Sequence, residues 1–113
     1  MTFIDKRIKR HIIIVMDNKK SAASYKNIFL IVRDVINSVD PESLEPGLPD
    51  GSPVDEYELE VTPITLFLVQ NQNDLDSNLL TQEIDKVWVK FFERSCANKE
   101  KIAAEILKRV SVL

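Results

Sequence analysis

Four carboxylates surround one aromatic residue in the stretch Asp55-Glu56-Tyr57-Glu58-Leu59-Glu60. Two chemistries suit such a set: acid–base work by paired carboxylates, or capture of a hard cation by oxygen ligands. On a helix, Asp55 and Glu56 point in different directions, whereas Glu56 and Glu60 share a face. No histidine lies nearby in the sequence, and acidic residues at a helix start are stabilising in their own right. A structural or surface role therefore outweighs catalysis or metal binding, and no catalytic residue, metal ligand or cofactor is assigned. Tyr57 is expected to anchor a neighbouring loop through its ring and hydroxyl, with exposure to a partner as the lesser alternative.

The remaining reactive side chains are isolated. His11 is the only histidine and has no nucleophile motif beside it. Cys96 is the only cysteine, which excludes an internal disulfide and suits a reducing compartment; it reads as a half-buried bystander. Lys6, Arg7, Lys9, Arg10, Lys19 and Lys20 could meet phosphates, yet no aromatic residues interleave with them, and a solvated helix face is the simpler account. The chain has neither a phosphate-cradling glycine loop nor zinc-ligand spacing. Nucleic acid is a disfavoured partner.

The elements that must position these residues fit one domain of 113 residues. The balance of 44% apolar and 29% charged residues supports a single core without staples. Two glycines, Gly47 and Gly51, are too few for a turn-rich β fold. The apolar run Ile12–Met16 is too short for a signal core or a membrane span, so a cytoplasmic chain with no membrane partner is expected. Charge is arranged in blocks. Residues 34–85 carry thirteen Asp/Glu and no Lys/Arg, while both flanking segments are net positive.

Periodicity predicts an all-α fold: a small bundle of four core helices, an N-terminal extension over residues 1–20, and one long proline-rich loop over residues 40–53. Ile4, Ile8, Ile12 and Val15 suit a helix in the extension, although the β-branched run favours a strand; Asp17–Lys20 reads as a polar break. The first core helix follows, capped by Ser21 or Ser24, with Ala22, Tyr25, Phe29, Val32, Ile36 and Val39 on its stripe; Asp40-Pro41 ends it. Ser52-Pro53 is expected to start the next helix, which Pro63 kinks or splits at Thr62. Ile64–Val69 should be buried on most sides. Asp74 or Asp76 caps the strongest helix, with Leu75, Leu79, Ile84, Val87, Trp88 and Phe91 inward. Asn98 caps the last, lined by Ile102, Ala103, Ile106, Leu107 and Val110.

Asp40-Pro41, Leu44, the run Gly51-Ser52-Pro53-Val54-Asp55-Glu56-Tyr57-Glu58-Leu59-Glu60-Val61, Ile64 and Phe91-Phe92 together resemble the YugE-like family of small bacterial proteins. The resemblance spans about residues 21–112. It implies an all-α fold of four core helices and no activity. Similar Asp-Pro and Asp-Glu-Tyr patterns look like those of predicted immunity proteins, which neutralise bacterial toxins. The chain departs from the pattern at Val39, where an aromatic often stands, at Pro63, and in the extension.

A non-enzymatic protein-binding domain is the expected function, in the form of an immunity protein whose acidic surface steers onto a basic partner such as a toxin. Asp50, Asp55, Glu56, Tyr57, Glu58 and Glu60 are the candidate partner-binding residues. The alternative is a housekeeping adaptor or a structural homo-oligomer, with Phe67, Trp88 and Phe92 available for a homodimer face. Asp40, Glu42, Glu45, Asp50, Asp55, Glu56, Glu58 and Glu60 are expected together on one side. Pairing with Lys6, Arg7, Lys90 or Arg94 would make that block structural.

Overall fold

In the first core helix of the computed structural model, α1 (Asn18–Val39), Ile28, Val32, Val35 and Ile36 recur at steps of three and four and are buried along one stripe. The structure describes residues 18–113, and side chains from Tyr25 onward. The extension from Phe3 to Met16, with His11 and four of its basic residues, lies outside them. Asn18, the first described residue, is already helical, ahead of the expected caps Ser21 and Ser24. Lys19 and Lys20 are polar but are good helix formers, and no glycine or proline interrupts them, so polarity alone does not stop the helix. Its end is where Pro41 forces it. Asp40 takes φ 53°, in the left-handed region, and its N–H donates to the Ile36 carbonyl at 2.7 Å.

The second helix, α2 (Glu58–Gln70), starts five residues later than Pro53. Ser52 does not cap it. Its N–H and hydroxyl both donate to the Leu44 carbonyl, at 3.0 and 2.9 Å, so the side chain is committed to the loop. Two tight turns fill the gap, with Glu56 N–H donating to Pro53 and Glu58 N–H to Asp55. Pro63 stands inside α2 without splitting it. The carbonyl that loses a donor belongs to Leu59, on the exposed side, where water can serve it. Thr62 is therefore no cap; its hydroxyl donates back to the Glu58 carbonyl at 3.0 Å. Ile64, Thr65 and Leu68 are buried as expected, but Leu66 is exposed.

Asp76 caps α3 (Ser77–Phe92), accepting from the Leu79 N–H at 2.8 Å. The buried stripe is Leu80, Ile84, Val87 and Trp88. Ile84, Val87 and Trp88 turn inward as expected, whereas Leu79 and Phe91, also expected inside, are exposed, and Leu80 takes the inward place in the first turn. The last helix, α4 (Lys99–Val110), follows Asn98, whose backbone is left-handed at φ 61° and whose side chain makes no cap bond. Ile102, Ala103 and Ile106 are buried, with Leu107 and Val110 packed beside them.

Each helix packs on two neighbours. α1 touches α2 and α4, and α3 touches the same two, which closes a four-helix ring around one core. The described residues contain no strand. Trp88 lies at the centre, 5.9 Å from Tyr57 and 5.2 Å from Phe92 between ring centroids. A dimer face built on Trp88 is thereby corrected: its ring is fully buried, and Phe67 and Phe92 pack against the same core.

Trp88→Ala empties the largest buried site and strips a donor from a buried carboxylate. It is expected to destabilise the fold by about 3–5 kcal/mol, measured by urea denaturation.

Candidate functional site

The acidic residues lie in the piece of chain between α1 and α2 and in the first turn of α2, and the conformation of the connecting piece is fixed from within. Asp40, Ser43 and Glu45 all have left-handed backbones. That geometry disfavours L residues, so other bonds must hold it. Asp40 supplies them. One carboxylate oxygen accepts from the Leu44 N–H at 2.8 Å and from the Tyr57 hydroxyl at 2.7 Å; the other accepts from the Glu45 N–H at 2.9 Å. Burial works against ionisation of Asp40, but the three donors outweigh it and hold its pKa below the usual carboxylate value.

Tyr57 closes the far side. Its hydroxyl donates to Asp40 and accepts from the Glu42 N–H at 2.9 Å. Burial, with the Asp40 carboxylate beside it, pushes the phenol pKa far above its ordinary value, so it remains a neutral donor. Glu42 carries the chain of contacts into the core. Its carboxylate accepts from the Trp88 indole N–H at 2.9 Å and pairs with Arg94, just beyond α3. The Glu42 side chain is only 6% exposed, so both partners are needed to offset its desolvation.

The rest of the loop is tied by main-chain bonds. Gly47 N–H donates to Ser52, and Gly51 N–H to Leu48. Gly51 is obligatory, because a β-carbon there would overlap the Glu45 carbonyl. The Asn37 side-chain amide donates to the Val54 carbonyl at 2.9 Å, which lashes the downstream end to α1.

Upon this frame Asp50, Asp55, Glu56 and Glu58 are exposed. Asp55, Glu56 and Glu58 share the turn that leads into α2, while Asp50 stands apart in the loop-tip turn. Glu58 also lines a shallow cleft with Tyr25, Lys26 and Phe29 of α1. Two of the six candidates face inward instead. Tyr57 is completely buried and Glu60 is 3% exposed, so neither can present itself to a partner. Tyr57 performs the anchoring role. Of the wider acidic block, Glu42 is structural through Arg94, as one of the pairings named above anticipated. The sequence gives no signal for the bonds that Asp40 and Glu42 make, to Tyr57 and to Trp88, because their partners lie 17 and 46 residues away.

Two further groups complete the electrostatics. Asp85 accepts from the Ser95 hydroxyl and the Cys96 N–H and pairs with Lys99 at 3.3 Å, which fastens the α3–α4 connection and lowers its pKa, chiefly through Ser95. Cys96 is buried rather than half-buried, and burial pushes its thiol pKa up to about 12, a protonated and unreactive state. Among the described residues, no group of three or more His, Cys, Asp or Glu is placed to hold a metal ion, and no helix is long and apolar enough to cross a membrane. No family model, curated protein or solved structure matches the chain.

Glu60 yields a pH prediction. Burial, followed by the neighbouring Glu56 charge, raises its pKa from 4.5 to about 7. A raised folded-state pKa favours the protonated form, so this contribution is complete below the unfolded value of 4.5 and is lost as pH rises through about 7. Glu60→Gln mimics the neutral acid. At about pH 8 it should be more stable than the parent by about 2–3 kcal/mol, and near pH 4.5 the two should converge. Paired urea titrations at the two pH values check this.

Proposed function

We propose that this chain is a non-enzymatic protein-binding domain that presents a fixed acidic surface to a basic protein. A toxin-neutralising immunity protein acting in the cytoplasm is the specific form favoured. One observation carries the reading. Asp50, Asp55, Glu56 and Glu58 are exposed on a loop pinned by the Asp40–Tyr57 bond, and no ion-pair partner for them occurs among the described residues. Exposed carboxylates held in fixed positions draw an oppositely charged surface through solvent. A pinned loop also spares the ordering entropy that a mobile one would lose on binding. The resemblance to the YugE-like and immunity-protein patterns points the same way, through the very Asp-Pro and Asp-Glu-Tyr residues that build this frame.

The test is kinetic. A basic protein retained by the immobilised chain from its own cells at about 50 mM salt is purified, and its association rate measured again at about 300 mM. The rate should fall about tenfold or more for the parent chain. The triple variant Asp55→Lys, Glu56→Lys, Glu58→Lys should bind slowly at both salt concentrations while keeping the parent's helical content, with a slightly lower melting temperature because lysines replace acids at the positive end of α2. Retention of nucleic acid alone, or an unchanged rate for the triple variant, would overturn the proposal.

A further inference from the structure

We infer that the outer face of α2 and α3 is a docking surface for a second copy of this chain, arranged about a two-fold axis. Its α2 side exposes apolar residues and its α3 side carries charges of both signs. Leu59, Pro63 and Leu66 fall at i, i+4 and i+7 on α2, with Leu59 68% and Leu66 43% exposed. Pro63 borders a groove whose other wall is Glu83, Lys86, Lys90 and Phe91 of α3. On α3, Leu79, Glu83, Lys86 and Lys90 share one face by the same spacing, and Leu79 is 43% exposed. Among the described residues, Glu83 and Lys90 have no ion-pair partner.

Charge selects the occupant. Glu83 and Lys90 stand two turns apart, with opposite signs at the two ends of the groove. A two-fold axis crossing α3 at its midpoint, beside Lys86 and Val87, sets Glu83 of each copy opposite Lys90 of the other. Pro63 lines the same groove as Lys86 and Val87, and the inferred axis runs on to cross α2 at Thr62-Pro63. There it sets Leu59 of each copy opposite Leu66 of the other. One symmetry operation thus satisfies both the apolar and the charged pairs, which is the self-complementarity an isologous interface requires. An unrelated basic protein would meet Lys86 and Lys90 as repulsive neighbours; a second copy supplies the matching acids. The axis also brings Lys86 near its own equivalent, an unfavourable contact that should keep the dimer weak. The surface is separate from the loop-borne carboxylates Asp50 and Asp55.

Sedimentation equilibrium over about 5–500 μM protein tests the inference. The parent chain should pass from monomer to dimer across that range. Glu83→Lys and Lys90→Glu should each weaken the dimer about tenfold, by placing like charges together. Combining Glu83→Lys with Lys90→Glu swaps the pair and should restore the parent affinity. Leu59→Asp should give a monomer at every concentration with an unaltered melting temperature, because Leu59 is exposed in the monomer. A parent chain that stays monomeric to 500 μM would overturn the inference. So would a double variant no tighter than the single ones.

Discussion

The Asp40 carboxylate is the point on which the loop, the start of α2 and the central aromatic cluster depend. Asp40 turns into the left-handed region as it ends α1, and that turn places its side chain where two loop amides and the Tyr57 hydroxyl converge. A tyrosine fully enclosed by the core is thus attached, by its one polar atom, to the only long irregular segment among the described residues. The hydroxyl also accepts from Glu42, whose carboxylate reaches Trp88 and Arg94. Four separated stretches of chain meet through two carboxylates. In water such bonds are worth about 1 kcal/mol each; inside the core the larger quantity is the cost of leaving any one of them unmade.

This arrangement explains how a strongly acidic segment can be both a frame and a surface. Carboxylates with several donors, Asp40 and Glu42, turn inward. Those without, Asp50, Asp55, Glu56 and Glu58, remain in solvent. Glu60 is the exception. Helical periodicity carries it to the flank of α2 beside Tyr57 and the buried Val61, and no bond from a described residue offsets its charge. It takes the other course open to a buried acid and holds its proton more tightly.

The helices were legible in the sequence because three-and-four spacing survives any tertiary arrangement, and the all-α class with four core helices follows from it. The stripe on α3 was legible at Ile84, Val87 and Trp88 but missed at its ends. Leu79 and Leu80 are chemically identical, and only the neighbouring helices decide which one turns inward. The start of α2 was hidden for a different reason. Ser52-Pro53 has the composition of a helix start, but the Leu44 carbonyl, eight residues upstream, competes for the serine and wins. Similarly, nothing in the spacing from Glu42 to Arg94 announces their contact, which spans 52 positions and exists only once the ring of helices has closed. The Asp-Pro and Asp-Glu-Tyr patterns were visible as patterns; their meeting at a single hydroxyl was not.

Cys96 gives the molecule a built-in reporter of its own opening. Its thiol is the only one in the chain, is buried, and sits at the joint between α3 and α4 that Asp85 fastens. A soluble thiol reagent can reach it only in moments when that joint has come apart, so the labelling rate counts such excursions directly. Asp85 holds Ser95, Cys96 and Lys99 through one carboxylate oxygen, so loss of that one group loosens all three contacts together. The chain therefore carries, without any added dye, a clock for the breathing of one half of the bundle.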